Sequence, residues 1–197
     1  VFDLKLNSNI GSVINWFSDS KNMLVKVIPS NKQDIIEAGG IVPSGPTISS
    51  NSGEKAQNRT YQDLLKNTTD EFNFEQLVNS ELYQVSEDGS YSKWLKKGMY
   101  TSISISPDGN YVMISKIKKP FSYLVTYRRF PTSINIYSKN SELVSNLIDI
   151  PLIEELPKGF MAVREGKRSF SWRMDKPSSM IYAEALDSGD PEIKVDY

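Results

Sequence analysis

Two residue types are absent from this chain of 197 residues: cysteine and histidine. Without cysteine the chain has no disulfides, no thiolate metal ligands and no cysteine nucleophile. Without histidine it lacks the commonest general base and the commonest metal ligand. A Ser-His-Asp triad therefore cannot be built from this chain alone, and the sequence contains no G-x-S-x-G or H-E-x-x-H motif. We predict no catalytic residue, no metal site and no cofactor within the chain.

An excess of charge and a long apolar run are also missing. Lys and Arg total 23 and Asp and Glu total 24, whereas nucleic-acid and membrane-surface binders usually show a basic excess. No apolar run is long enough to cross a bilayer. The first residues, VFDLKLNSNIGS, do not have the pattern of a signal peptide, and they lack an initial Met. We therefore expect a processed or excised piece of a longer protein.

The chain does contain a repeated hairpin pattern. Residues 13–28, 100–117 and 169–186 each read as an alternating apolar strand, a polar turn and a second such strand. Each turn carries an aspartate, namely Asp19, Asp108 and Asp175, and the Ser-Pro-Asp-Gly turn has residues that favour tight turns. Residues 82–95 and 134–144 predict two further hairpins. This pattern predicts an all-β fold.

A hairpin that recurs with a similar turn favours a β-propeller, in which each blade is a small antiparallel sheet. We expect a partial propeller of about two to three antiparallel blades, because a closed ring needs at least about four. Blade 1 would span about residues 1–97, with a partly helical insertion around residues 37–78. Blade 2 would span about 98–150, followed by a connector at 151–168 and the start of blade 3 at 169–197. In the insertion, Thr60 as cap and Asp63 in the first turn predict a helix.

The stretch KKPFSYLVTYRRFP, residues 118–131, is unusual. Two prolines bracket a strand-like core, residues 123–127, which is followed by Arg128 and Arg129. One interpretation is that the aromatic and guanidinium groups gather here to bind a ligand. The other is that the stretch is a well-packed excursion between two strands.

Four stretches carry a resemblance to a known family: RTYQDLLKNTTDEFNF, ISPDGNYVMISKIKKPFSYLVTYRRFP, PLIEELPKGFMAV and SFSWRMDKPSSMIYAEALDSGDP. Together they resemble the N-terminal propeller of the prolyl oligopeptidase superfamily of serine peptidases. The most similar branch is the glutamyl-peptidase-like group of bacteria and plant plastids. The resemblance implies a parent of several hundred residues, in which a C-terminal α/β-hydrolase domain, absent from this chain, carries the Ser-Asp-His triad.

The resemblance also implies a function and partners. The propeller would gate and position a peptide substrate for the hydrolase domain, with cleavage next to Glu, and no nucleic acid or membrane would be involved. We expect a periplasmic or otherwise extracytoplasmic location in a bacterium, with the plastid and the cytoplasm as alternatives. The alternative function is a stand-alone all-β module that binds a protein or a glycan without enzymatic activity. Unpaired strand edges also predict self-association of the chain.

If the parent cleaves next to acidic residues, a cation is needed near the cleaved bond. Arg129 is the first candidate, because its position before Phe130-Pro131 matches the family's Arg-Phe-Pro element and a guanidinium binds a carboxylate through two hydrogen bonds. Arg128 and Tyr123 are the other candidate substrate-binding residues. Two structural roles stay open: Arg129 paired with a carboxylate such as Glu154 or Glu155, and Tyr123 in the core.

Overall fold

The structure is a computed structural model that describes residues 3–37 and 61–196. Within these ranges the chain forms nine β-strands and one α-helix, and Thr60 lies outside them. Their bounds are β1 (Ile14–Trp16), β2 (Asn22–Val27), α1 (Thr68–Val78), β3 (Ser80–Ser86), β4 (Tyr91–Ile105), β5 (Tyr111–Ile117), β6 (Thr132–Ser138), β7 (Leu143–Ile150), β8 (Arg168–Trp172) and β9 (Met180–Ala183). The five hairpins expected from the sequence are confirmed, and the fold is mostly β.

Strands β1 to β7 pair in chain order, and every pairing is antiparallel. Strand β4 is shared between two sheets. Its first part, as far as Gly98, pairs with β3, and its second part, from Met99, pairs with β5. The result is two four-stranded antiparallel sheets, β1 to β4 and β4 to β7. Strands β8 and β9 form a separate two-stranded sheet.

The tight turns of all three sheets meet at one end of the molecule, which we call the turn end. The β3–β4 turn bonds to the β1–β2 turn through the amide of Glu87, which donates to the carbonyl of Lys21 (2.8 Å). The β4–β5 turn bonds to the β8–β9 turn through the amide of Asp108 and the carbonyl of Pro177 (3.0 Å). Because β4 both begins and ends beside these turns, it runs away from the turn end and returns to it. The longer connections therefore gather at the opposite end, which we call the loop end.

The sheets are layered face to face. Leu24, Leu82 and Trp94 of the first sheet share one buried cluster with Ile103 and Ile114 of the second. The other face of the second sheet packs against the β8–β9 hairpin in a further cluster, whose buried members are Met113, Ile136 and Trp172. The Trp172 indole N–H donates to the carbonyl of Ser104 (3.0 Å), which joins the hairpin to β4. Burial between layers thus holds three successive sheets in one stack.

The insertion between β2 and β3 is partly helical, as expected, but the helix begins later than the sequence predicted. Asn67 is the N-cap, and its side-chain oxygen accepts from the amide of Asp70 (2.9 Å). Asp70 and Glu71 lie in the first turn, where carboxylates interact favourably with the helix dipole. The placement of Asp63 in the first turn was wrong, because its backbone has φ of 55° and lies before this cap.

Candidate functional site

The stretch at residues 118–131 is the β5–β6 connection at the loop end. It contains no strand; instead, Tyr127–Arg129 form one turn of 3-10 helix, and the Lys119–Pro120 peptide bond is cis. The strand-like core expected at residues 123–127 is therefore wrong. The physical reason is that Phe121, Val125 and Phe130 all turn inward and are buried, which an extended segment with alternating faces does not allow at these positions.

These three residues belong to a buried apolar group at the loop end, which we call the loop-end cluster. Its remaining members come from the first segment, the helix, strands β4 and β5, and the connections: Ile10, Tyr61, Leu65, Phe74, Val78, Met99, Ile117, Tyr127 and Leu152. Phe74 of α1 meets Phe121 and Phe130 edge to face, with ring centroids 5.2 and 5.8 Å away. The helix thus fixes the stretch that carries the two arginines.

Arg129 is half-buried beside this cluster. Its guanidinium carbon lies 5.5 Å from the centre of the Tyr61 ring, a cation–π contact. Its amide donates to Thr126 (2.9 Å), and its carbonyl accepts from the amide of Ile153 (3.0 Å). Across residues 3–37 and 61–196, no carboxylate lies within ion-pair distance of Arg129. The backbone of this residue is fixed, and its positive charge is not neutralised by a described carboxylate.

The expected pairing of Arg129 with Glu154 or Glu155 is not found. Glu154 instead accepts a hydrogen bond from the Ser122 hydroxyl (2.6 Å), and neither carboxylate forms an ion pair with the arginine. Arg128 is exposed to solvent at the tip of the same 3-10 turn. The turn therefore presents two adjacent guanidinium groups at the loop end.

Tyr123 is not a core residue. Its side chain is exposed, and its hydroxyl donates to the carboxylate of Glu71 on α1 (2.7 Å). This hydrogen bond is the main reason that the pKa of Tyr123 is raised above its ordinary value. This exposed hydrogen bond and the buried ring contacts of Phe74 both connect the stretch to the helix. Tyr123 and the arginines lie on the same β5–β6 connection.

The connection between β7 and β8 joins the same end. Ile153 and Glu154 of this connection are hydrogen-bonded to Arg129 and Ser122, as described above. Farther along it, the amide of Val163 donates to the carbonyl of Gly189 (3.0 Å). Gly189 has φ of +87°, and an added Cβ would lie 2.2 Å from the carbonyl oxygen of Val163, so only glycine fits there. Parts of the four stretches that carry the family resemblance, at residues 61–74, 118–131, 151–163 and 184–191, therefore lie on this side of the molecule.

A polar cavity of about 320 Å³ lies at the turn end, between the first two sheets. Asp19, Asn22, Gln84 and Asp108 are among its lining residues. Much of their bonding capacity is used internally: Asp19 accepts from two backbone amides and from the Asn22 side chain, and Asp108 accepts from Ser106 and Asn110. The hydrogen bond from Asn22 is the largest cause of a lowered pKa for Asp19. These aspartates form turns, as the sequence indicated.

In the part of the chain that the structure describes, no group of three or more acidic side chains is placed to hold a metal ion. No helix within the described ranges is long and apolar enough to cross a membrane.

Sequence reasoning selected Arg129 as a candidate but did not predict the residues that surround it. Tyr61, Glu71 and Phe74 lie more than forty residues away along the chain and meet the arginine stretch only through the topology. The sole sequence signal for them was their inclusion in a stretch that carries the family resemblance.

Comparison with known proteins supports that resemblance. No protein-family model matches the chain, and no solved structure matches it. The chain is 38% identical over 194 residues to a protein of Oryza sativa subsp. japonica named probable glutamyl endopeptidase, chloroplastic. It is 36% identical over 194 residues to the Arabidopsis thaliana protein of the same name. Each match covers 98% of this chain and 20% of the relative, so the chain spans about a fifth of the length of these relatives. Nearly the whole chain is thus similar to a segment of glutamyl endopeptidases, the branch that the sequence resemblance indicated.

Proposed function

We propose that the chain is a non-catalytic propeller segment of a serine peptidase, which gates and positions peptide substrate for a separate α/β-hydrolase domain. The main support for this proposal is that 98% of the chain aligns with probable glutamyl endopeptidases. The composition is consistent with it, because a chain without histidine cannot supply a Ser-His-Asp triad by itself. The substrate-recognition role is then carried by binding residues and not by catalytic ones.

The sheet arrangement supports the propeller part of this proposal. Two four-stranded antiparallel meanders follow one another, and each packs face to face on its neighbour in the order of the chain. The shared strand β4 would be the outermost strand of blade 1 and the innermost strand of blade 2, which is how successive blades connect. On this proposal the blades span about residues 1–97 and 98–150, and residues 169–197, with the β8–β9 hairpin, begin a third.

Arg129 carries the substrate part of the proposal. A peptidase that selects Glu needs a cation whose charge is available to the substrate, and a guanidinium suits a carboxylate because it offers two parallel hydrogen bonds. Arg129 has a fixed backbone and a cation–π contact to Tyr61 but no described carboxylate partner. We place it as the residue that binds the Glu side chain, with Arg128 and Tyr123 as flanking substrate contacts.

The test uses the full-length protein and three peptides that differ only in having Glu, Gln or Leu before the cleaved bond. Replacement Arg129→Ala is expected to lower kcat/KM for the Glu peptide by about 30-fold or more, which is about 2 kcal/mol, with a much smaller change for the Gln and Leu peptides. Arg173→Ala is the matched control, because Arg173 lies at the turn end and is paired with Asp175 (2.6 Å). An equal loss on all three peptides would show that Arg129 is structural.

The rival function, a stand-alone protein- or glycan-binding module, would use the polar cavity at the turn end. That cavity is lined by amides and carboxylates, which are the groups that hydrogen-bond sugars, but most of the bonds described there close the turns themselves. The loop end has the opposite character, since its arginines are not paired with described carboxylates. We therefore favour the peptidase role.

The names of both relatives describe those proteins as chloroplastic. We propose a plastid location for the parent of this chain on that basis, and nothing in the comparisons supports the expected bacterial periplasm.

A further inference from the structure

A second cavity, of about 250 Å³, lies at the loop end next to the arginine turn. Six of its lining residues are apolar or aromatic: Leu64, Leu65, Phe74, Val125, Tyr127 and Phe130. Thr126, which also lines it, accepts the hydrogen bond from the amide of Arg129. Tyr127 and Phe130 flank the two arginines along the chain. The cavity wall and the guanidinium are therefore parts of one small element.

The arginines beside this cavity have no carboxylate partner among the described residues, which favours an anionic ligand. Three carboxylates of the loop end have other partners: Glu71 accepts from the Tyr123 hydroxyl, Glu75 pairs with Lys119 (2.7 Å), and Glu154 accepts from the Ser122 hydroxyl. Within the described ranges, neither arginine of the 3-10 turn forms an ion pair. An acidic group beside the cavity would therefore find an arginine that has no ion pair with a described carboxylate.

Asp63 is the charged residue among those that line the cavity, and it is exposed, whereas Arg129 lies in the adjoining turn and does not line the cavity. The Asp63 carboxylate repels an anion on the side of the cavity formed by residues 62–65. Arg129 attracts it on the side formed by residues 126–130. The two charges together give a bound acidic ligand a preferred orientation, with its carboxylate toward the arginine and its apolar part in the cavity.

We propose that this cavity is a specificity subsite for a large apolar side chain of a peptide substrate. The same peptide would carry a glutamate, at most two residues away, that binds Arg129. The proposal rests on the proposed function and names the substrate class more closely: acidic-apolar peptides. The size is suitable, because an apolar cavity of about 150 Å³ already binds benzene. A cavity of about 250 Å³ therefore has room for one phenylalanine or leucine side chain.

The experiment measures binding of short peptides to the full-length protein, with the bond after Glu reduced so that it is not cleaved. Phe is placed at each of the two positions on either side of Glu and compared with Ala at the same position. Gln replaces Glu in a parallel set. Because burial of a Phe side chain is strongly favourable, we expect at least one position at which the Phe peptide binds about tenfold or more tightly than the Ala peptide.

The variant Leu64→Trp fills the cavity from its rim and should bring the Phe-to-Ala ratio close to one, while the Glu-to-Gln ratio stays unchanged. Leu64→Phe, a smaller increase in volume, replaces it if the first variant does not fold. The matched control is Leu143→Trp, on the exposed edge strand β7, where the leucine is 61% exposed. This control should leave both ratios at their original values.

The outcomes separate the two proposals. If Phe gives no tighter binding than Ala at any position, or if Leu64→Trp leaves that preference intact, the subsite proposal is overturned and acid recognition by Arg129 stands. If the unaltered protein binds Glu and Gln peptides equally, both proposals fail together.

Discussion

The aromatic contacts between α1 and the arginine stretch give a prediction whose size follows from the structure. Phe74 contacts Phe121 and Phe130 edge to face, at 5.2 and 5.8 Å, inside the loop-end cluster. A fully buried Phe→Ala change costs about 3–5 kcal/mol. Phe74 is only half-buried, which lowers this figure, but each aromatic pair adds about 0.5–1.5 kcal/mol. We expect Phe74→Ala to lower the free energy of unfolding by about 3 kcal/mol.

The assay is urea unfolding of the 197-residue chain, followed by tryptophan fluorescence, with amide hydrogen exchange as a local readout. Phe72→Ala is the matched control, since Phe72 is on the same helix and also half-buried but is not part of the loop-end cluster. Exchange should accelerate at residues 121–130 in Phe74→Ala and much less in the control. Equal losses of stability in the two variants, with no change in exchange at residues 121–130, would refute the role assigned to the aromatic cluster.

Two further predictions concern the sheets. Gly109 has φ of +72°, and an added Cβ would lie 2.6 Å from the Ser18 hydroxyl, whereas Gly89 has φ of +83° and open space around it. In thermal unfolding, Gly109→Ala should therefore lower the free energy of unfolding by about 1 kcal/mol more than Gly89→Ala does. Equal losses would contradict the contact between the two turns. Lys26 is 1% exposed, its ammonium donates to the carbonyl of Ile10, and burial lowers its pKa below 10.5. The unfolded state thus binds the proton more tightly, so the free energy of unfolding should rise as the pH passes the folded-state pKa of Lys26 and should level off near pH 10.5. The variant Lys26→Met should not show this rise. If the free energy of unfolding of the wild type and of the variant depends on pH in the same way, the prediction is wrong.

Much of the fold could be predicted from local sequence. Alternating apolar residues and turn chemistry identified five hairpins, and the aspartates at positions 19 and 108 do close their turns through backbone amides. Asp175 differs, since its carboxylate pairs with the side chain of Arg173 two residues earlier. These features succeed because each depends on residues that are close along the chain.

The candidate site was less predictable, because its contacts are between distant residues. The alternation at residues 123–127 suggested a strand, yet the inward packing of Val125 and Phe130 against α1 overrides that local preference. Likewise, Glu154 was one possible partner of Arg129 from the sequence, but in the structure its carboxylate accepts a hydrogen bond from Ser122. The local stretch at residues 118–131 drew attention to Arg128 and Arg129, and the family resemblance favoured Arg129 of the two.

The central claim is that Arg129 selects an acidic substrate side chain by its charge. The most direct test is charge reversal in the full-length protein: Arg129→Glu assayed for kcat/KM on matched peptides with Glu, Gln or Lys before the cleaved bond. If the guanidinium meets the substrate side chain, the variant should lose the preference for Glu over Gln and should prefer Lys over Glu. If the order of the three peptides is unchanged and all three rates fall together, the claim is wrong and the arginine turn is part of the scaffold.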